Sequence, residues 1–299
     1  MNRMDEGVRI VKRTLVLAGG GTAGIAWEIG VLLGLRDEGV DVVGSVDLVV
    51  GTSAGSAVGG QILSGIDLET LYARQLADEH GEINPTIDID LMMSIFADLM
   101  GGALPTSAAR KTICEAALAA ETVAPELRRA VIEWRLPNHD WPTIELLVTA
   151  VDADTGELNV FDRNGGVGLV DAVTASCAVP VVWPVVEIAG HRYTDGGVYS
   201  PANAQLAIGS DFALVVTPGG TERVASIEPE LQALRDAGCE VALICADADA
   251  LAAMPNPLDP SARAPSARAG RRQGRLAAPE LARTWNTTIA RTLNQEQTP

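Results

Sequence analysis

Aromatic side chains make up only 4% of this 299-residue chain, and it carries just three histidines and four cysteines. The shortage of histidine matters most. Proton transfer through imidazole has only His80, His139 and His191 to draw on. The cysteines, Cys114, Cys177, Cys239 and Cys245, form no CxxC pair and no metal-type spacing with histidine. That excludes zinc-ribbon and thioredoxin-like readings and leaves free thiols in a reducing compartment. Cations are scarce too: 22 Lys and Arg stand against 39 Asp and Glu, a formal net charge of -17. Such a surface repels a phosphate backbone, so nucleic acid is excluded as a partner, and so is whole-surface attraction to anionic membranes. Long apolar runs are also missing; each is broken well short of the ~20 residues of a membrane span. Residues 1–13 alternate charges without the apolar core of a signal peptide. A cytoplasmic protein is expected.

What is present is apolar content of 47%, enough for a large α/β domain. Residues 14–18 (TLVLA) form a short buried-strand run, followed by three glycines and a helical pattern from Gly24 to about Asp37. Residues 43–50 hold the next strand, which runs into Gly51-Thr52-Ser53-Ala54-Gly55 and a second helix. Strand, glycine turn and helix, repeated, predict a mostly parallel central sheet flanked by helices, with its chemistry at the carboxyl ends of the strands. Residues 67–135 read as a helical cap insertion, with Thr106 or Ser107 as an N-cap and an apolar face over 91–100. Strand signals return at 144–151, 158–161, 185–188, 192–194, 213–216 and 240–244. A hairpin turn is expected at Ala189-Gly190-His191, and helices over 168–178 and 229–237. Residues 255–273, rich in Pro, Ala and Arg, read as a mobile segment before a closing helix over 279–293. Residues 1–13 are an N-terminal extension, and 14–299 one domain.

Gly19-Gly20-Gly21-Thr22-Ala23-Gly24 satisfies the dinucleotide pattern GxGxxG. A nucleotide site also needs an acidic residue closing the second strand. Asp47 lies at that strand's start, and its end is occupied by Gly51-Thr52-Ser53. The competing reading is an oxyanion hole, in which consecutive glycines bring backbone N–H groups close to a developing alkoxide. Such donors stabilise a transition state by about 3–4 kcal/mol each.

Gly51-Thr52-Ser53-Ala54-Gly55 matches GxSxG, and its position between a buried strand and a helix is that of a nucleophile elbow. A capping serine is the plainer alternative. None of the histidines suits the base: His80 and His139 lie in polar loops, and His191 in a hairpin turn. Asp195, at a strand end before Gly196-Gly197, is the better candidate. A carboxylate there can take the serine proton and return it to the leaving group. An ordinary Asp-Gly turn would explain it without chemistry.

Taken together, LVLAGGGTAGIAWEIGVLLGL, DLVVGTSAGSAVGG and VTASCAVPVVWPVVEIAGHRYTDGGV resemble the patatin-like phospholipases from Leu15 to about Val198. The resemblance implies a three-layer α/β/α fold and a lipid acyl-hydrolase of phospholipase A or lysophospholipase type, with no cofactor and no metal. It assigns Ser53 as nucleophile, Asp195 as base and Gly19, Gly20 and Gly21 to the oxyanion hole, with Gly24, Gly51, Gly55, Gly196 and Gly197 supporting the motifs. The partners implied are a lipid or acyl ester and peripheral contact with a membrane. The family's glycine segment has Arg or Lys before its last glycine, where this chain has Ala23. Losing that cation weakens oxyanion stabilisation or headgroup affinity. This keeps two alternatives in view: a carboxylesterase or acyltransferase with the same dyad, and a catalytically weak lipid-binding protein. Arg263, Arg268, Arg271, Arg272 and Arg275 form a local basic patch, either a solvated loop or a contact for anionic lipid headgroups. Asp152 and Asp154 beside Gly156 read as a turn, not a cation site.

Overall fold

A computed structural model describes residues 11–77, 81–85, 87, 91, 92, 94 and 102–296, with side chains through residue 286. Its framework is a single sheet in the order β5-β6-β3-β2-β1-β7-β8, with β4 on the other edge of β3. The strands are β1 (Arg13–Leu17), β2 (Leu48–Thr52), β3 (Glu145–Asp152), β4 (Leu158–Phe161), β5 (Val186–Ile188), β6 (His191–Asp195), β7 (Phe212–Thr217) and β8 (Glu240–Cys245). From β3 through β2, β1 and β7 to β8 every pairing is parallel; β4, β6 and β5 are antiparallel.

Strands β1, β2 and β7 are buried along their whole length, as central parallel strands must be when helices cover both faces. Alternate residues divide between two apolar layers. Leu15, Leu17, Val49, Phe212 and Leu214 join one core, whereas Val16, Val50, Ala213 and Val215 join the other. On the first side lie α1 (Gly21–Asp37), α2 (Ala54–Ile62), α6 (Leu169–Ser176) and α9 (Arg263–Glu296); on the second lies α7 (Thr221–Asp236). The result is the expected mostly parallel sheet between helical layers. Between α2 and β3 the described residues include three more helices, α3 (Leu68–Leu76), α4 (Ser107–Ala119) and α5 (Pro125–Arg135), and α8 (Ala248–Ala253) follows β8. Thr106 caps α4, its hydroxyl accepting the Ala109 N–H. No helix among the described residues is long and apolar enough to cross a membrane.

Two expectations need correcting. The helix expected over 229–237 begins eight residues earlier, at Thr221, and carries Pro229 in its interior. Of residues 255–273, expected as a mobile segment, 263–273 instead form the start of α9, which runs unbroken to Glu296. Glycine explains the second case. Gly30 and Gly34 on α1 face Gly270 and Gly274 on α9 so closely that a Cβ at Gly34 would lie 2.2 Å from the Arg271 carbonyl oxygen, and one at Gly270 2.2 Å from that of Trp27. The two backbones touch, with Trp27 and Trp285 fully buried in the same core. Three of the five arginines of the supposed patch are held by acids: Arg271 and Arg275 by Asp37, and Arg272 by Asp247. Arg263 is buried and donates to Gln75 and the Arg74 carbonyl, and Arg268 is exposed.

Putting a side chain into this seam forces the helices apart. Gly34→Val should lower stability by about 1–3 kcal/mol. Gly165→Ala, whose Cβ would meet nothing nearer than 3.7 Å, should stay within about 0.5 kcal/mol of the parent. Urea denaturation of the two variants checks this.

Candidate active site

Strand β3 organises the site. Its residues 145–149 pair in parallel with β2, ending at Thr52↔Thr149. The next residue, Ala150, pairs with Asp195 of antiparallel β6. Because β4 occupies the opposite edge of β3 from Val148 to Val151, β2 and β6 share one edge and run toward each other. Ser53 follows the last residue of β2, and Asp195 is the last residue of β6. Two segments 142 residues apart in sequence thus end face to face.

Ser53 has φ 52° and ψ -115°, a backbone conformation costly for a residue with a side chain. Its surroundings enforce it. A Cβ at Gly51 would lie 2.5 Å from Ser56 Cα, and one at Gly55 2.0 Å from the Leu17 carbonyl oxygen, so both glycines are needed for the chain to fold back into α2. The Ser53 N–H donates to Ser176 Oγ at 2.9 Å, and its carbonyl accepts from Ser56 Oγ at 2.7 Å and from the Cys177 thiol.

Asp195 is buried, and its Oδ1 accepts the Gly197 N–H at 2.7 Å. Its Oδ2 is buried with no hydrogen bond of ordinary length and angle. Burial raises the carboxyl pKa to about 6, against the lowering effects of the Ser53 hydroxyl, the Gly197 N–H and the positive charges of Arg128 and Arg223. Gly196 packs so tightly on β3 that a Cβ there would lie 2.3 Å from Thr149 Oγ1.

A buried polar knot ties the two strand ends together. Asn203, in the left-handed region at φ 52°, donates through Nδ2 to Thr52 Oγ1 at 3.0 Å, Thr149 Oγ1 at 3.3 Å, the Gly196 carbonyl at 3.3 Å and the Ser200 carbonyl at 2.9 Å. Thr149 Oγ1 also donates to Thr52 Oγ1 at 2.9 Å. One amide therefore bridges the Ser53 side and the Asp195 side.

The glycine turn runs alongside. A Cβ on Gly19 would stand 3.3 Å from Ser53 Cβ. The Gly19 N–H, however, donates to the Pro201 carbonyl at 2.8 Å. The Gly19 N–H is thus engaged within the turn, and the missing side chain lets the turn lie against Ser53. Gly20 and Gly21 begin α1, where amides lack intrahelical acceptors. Gly24 donates to the Gly20 carbonyl and lies close to Pro218. Ala23 is buried and its N–H bonds the Pro257 carbonyl. From α7, Arg223 Nη1 donates to the Gly19 carbonyl at 2.6 Å.

Of the histidines, His139 is exposed and bonded to the Glu133 carbonyl, and His191 is exposed beside Asp152. His80, and Met93 and Phe96 of the apolar 91–100 face, lie outside the described residues. Asp152 closes a turn by accepting the N–H groups of Asp154 and Thr155, as expected. A narrow cleft in front of Ser53 is lined by Gly21, Thr22, Arg128, Cys177 and Leu258, and a cavity of about 560 Å³ adjoins it, sharing Thr22, Ile25 and Arg135.

The sequence reading missed Asn203, Thr52, Thr149, Arg223, Arg128 and Arg135. A signal existed for the last two. The buried face of α5 is Arg128, Val131, Ile132 and Arg135, while Leu127 and Trp134 are exposed, Trp134 at the wall of the cavity. Arginine at two of four core positions breaks the amphipathic rule.

A parallel α/β sheet with a strained serine turn at a strand's carboxyl end defines a class of α/β proteins that carry their site at that edge. The model of the Patatin-like phospholipase family matches residues 15–208, and the chain belongs to that family, one of lipid acyl-hydrolases. Among solved structures it is similar to VipD from Legionella pneumophila (15% identity, 91% of this chain and 67% of that one, TM-score 0.45). It is also similar to the type III effector ExoU of Pseudomonas aeruginosa (15%, 96% and 54%, 0.39). A third is human GIVD cytosolic phospholipase A2, solved with methyl gamma-linolenyl fluorophosphonate (10%, 98% and 61%, 0.47). The chain thus spans between about half and two thirds of those chains. A search of curated proteins returns no match.

Removing the bridging amide leaves buried acceptors unpaired. Asn203→Ala should cost about 1–3 kcal/mol, read as a lowered urea midpoint at unchanged m-value.

Proposed function

We propose that the protein is a serine lipid acyl-hydrolase in which Ser53 is the nucleophile and Asp195 its direct base. The observation that carries this reading is the strained, turned-out Ser53 held end to end with a buried carboxylate across β3. Asp195 takes the hydroxyl proton as Ser53 Oγ attacks the ester carbonyl carbon. The carbonyl oxygen becomes an alkoxide, stabilised by the free amides of Gly20 and Gly21 and by that of Ala54 at the start of α2, whose dipole favours negative charge. Collapse breaks the bond to the leaving alkoxide, which takes the proton from Asp195, and the acyl group remains on Ser53. Water then attacks the acyl-enzyme, giving its proton to Asp195, and a second collapse returns that proton to Ser53 as the fatty acid leaves.

The acyl ester of a lipid is the substrate class the family supports, with phospholipase A and lysophospholipase activity the expected forms. Peripheral contact with a lipid surface is supported by Leu127, exposed on α5, and by Trp134, partly exposed at the wall of the cavity beside the Ser53 cleft.

Ser53→Ala should remove hydrolysis of a medium-chain nitrophenyl ester while thermal unfolding stays unchanged; turnover in the folded variant would end the proposal. Asp195→Asn should lower turnover by at least about 10². Replacing His80, His139 and His191 together should leave it within a few-fold, and a folded but inactive histidine-free protein would mean the base is misassigned.

The pKa of Asp195 also sets a pH dependence. As base it must be ionised, so kcat/KM should rise with pH through about 6 and then level. Because the folded pKa is raised, the stability Asp195 lends is complete below its unfolded value near 4 and lost as pH rises through about 6. Asp195→Asn should therefore gain stability relative to the parent between pH 4 and 7, by on the order of 3 kcal/mol at most. Parallel urea melts at several pH values decide it.

A further inference from the structure

The segment that joins β7 to α7 bears directly on the glycine turn, although it supplies neither Ser53 nor Asp195. A Cβ on Gly20 would lie 2.1 Å from Pro218 Cγ, and one on Gly24 3.1 Å from the same atom, so the proline ring packs against the start of α1. Five residues on, Arg223 sends its side chain back over Gly219, where a Cβ would stand 2.2 Å from Arg223 Cδ. The arm ends at the Gly19 carbonyl, to which Nη1 donates at 2.6 Å. Arg223 lies in the first turn of α7, where the helix dipole disfavours a cation. Burial disfavours the cation as well, and the charges of Asp195 and Glu28 act against that effect. Arginine keeps its proton inside proteins, so a full positive charge sits on the carbonyl of the turn.

What this contact does follows from the planarity of the peptide. In a trans peptide the C=O of one residue and the N–H of the next point in opposite directions. The Gly19 carbonyl faces Arg223, so the Gly20 N–H faces away from it. A peptide with glycine on both sides turns more freely than any other, because no Cβ restricts it. Its neighbours are already tied: the Gly19 N–H bonds the Pro201 carbonyl, and the Ala23 N–H the Pro257 carbonyl. Arg223 is the side-chain hold on the peptide between them. A cation on the carbonyl oxygen also draws charge through the amide and makes its N–H a stronger donor.

We propose that Arg223 is a positioning residue of the oxyanion site, setting which way the Gly19–Gly20 peptide faces and so presenting the Gly20 N–H to the alkoxide formed at Ser53. This rests on the Ser53 reading. Arg223 touches no reacting atom; it acts through the peptide it holds. Without it the peptide is free to turn over and offer a carbonyl oxygen, which repels an alkoxide.

Arg223→Met separates orientation from packing, because it keeps an unbranched arm over Gly219 and removes the donor. With a medium-chain nitrophenyl ester it should lower kcat by at least about 10-fold, toward the ~10² lost with an oxyanion donor. KM should stay within about three-fold, the pattern of an interaction made only in the transition state. Arg223→Lys can still donate to the Gly19 carbonyl and should recover much of the loss. An alkyl trifluoromethyl ketone reads the same contact at equilibrium: Ser53 Oγ adds to its carbonyl carbon, the hydroxyl proton passes to Asp195, and the carbonyl oxygen becomes the alkoxide. Its affinity should fall in Arg223→Met by about the factor lost in kcat/KM, while thermal unfolding stays close to the parent's. Parental kcat in folded Arg223→Met overturns the proposal, and so does a loss confined to KM or one that Arg223→Lys does not recover. If Arg223→Met does not fold, Gly219→Ala takes its place, since its Cβ drives the arm aside in a chain that keeps the arginine; full kcat there overturns the proposal. If the unsubstituted chain hydrolyses no ester, the Ser53 reading falls and the positioning role with it. If the chain hydrolyses through Ser53 and Arg223→Met matches it, only the positioning role falls.

Discussion

The meeting of β2 and β6 on one edge of β3 is the constraint on which the rest of the site depends. A strand can exchange hydrogen bonds with only one neighbour per edge at a given residue. Thr149 takes Thr52 and Ala150 takes Asp195, so the register leaves no gap between the two incoming chains. Both must leave the sheet there. One leaves by the strained Ser53 turn into α2; the other leaves through Gly196, where only a glycine clears Thr149. The serine and the carboxylate are neighbours because sheet geometry gives their backbones no other exit. The Asn203 knot then sets their separation from beneath, through partners that are all fully buried.

Burial gives that arrangement its electrostatic character. Asp195 sits where desolvation disfavours charge, and Arg128 and Arg223 each pull the other way. The tension extends behind the glycine turn. Glu28 on α1 is fully buried, neither carboxylate oxygen has a hydrogen bond of ordinary length and angle among the described residues, and burial raises its pKa well above the usual range, against the Ala18 N–H and the Arg223 charge. Burial lowers the pKa of Arg223, and the charges of these two acids oppose that lowering. A guanidinium that holds the Gly19 carbonyl thereby joins the turn to the carboxylate, from a helix far away in sequence.

Much of this was legible in the chain. Short-range chemistry marks the elbow and the glycine turn, because φ > 0 and close backbone approach can be met by few residue types, and these recur at fixed spacing. The order of strands and helices followed from the alternation of buried runs and helical periods. What stayed hidden was long-range. Nothing local distinguishes Asn203 from any loop asparagine, and its role exists only once Thr52 and Thr149 stand beside it. Arg128 was visible as an anomaly only if α5's face could be phased, and the exposed Leu127 and Trp134 mislead that phasing. Residues 263–273 were read as loop for a related reason. Their Pro, Ala and Gly content is that of a loop when read alone, and that of a close-packing helix when a second glycine-bearing helix is opposite.

That helix pair carries a consequence for the site. The beginning of α1 is the glycine turn itself, so whatever fixes α1 along its axis fixes Gly20 and Gly21 relative to Ser53. Side-chain packing alone tolerates small sliding of one helix past another, because flexible side chains repack. Backbone contact does not: at Gly30 and Gly34 the neighbour is a peptide carbonyl of α9, and at Gly270 and Gly274 a peptide carbonyl of α1. Each helix thus fits the other's backbone relief and cannot slide without collision. The segment before α9 adds a second restraint at the same end, since the Pro257 carbonyl accepts the Ala23 N–H and crowds Gly21. The last third of the chain, which supplies neither Ser53 nor Asp195, therefore holds the amides proposed to receive the oxyanion in place.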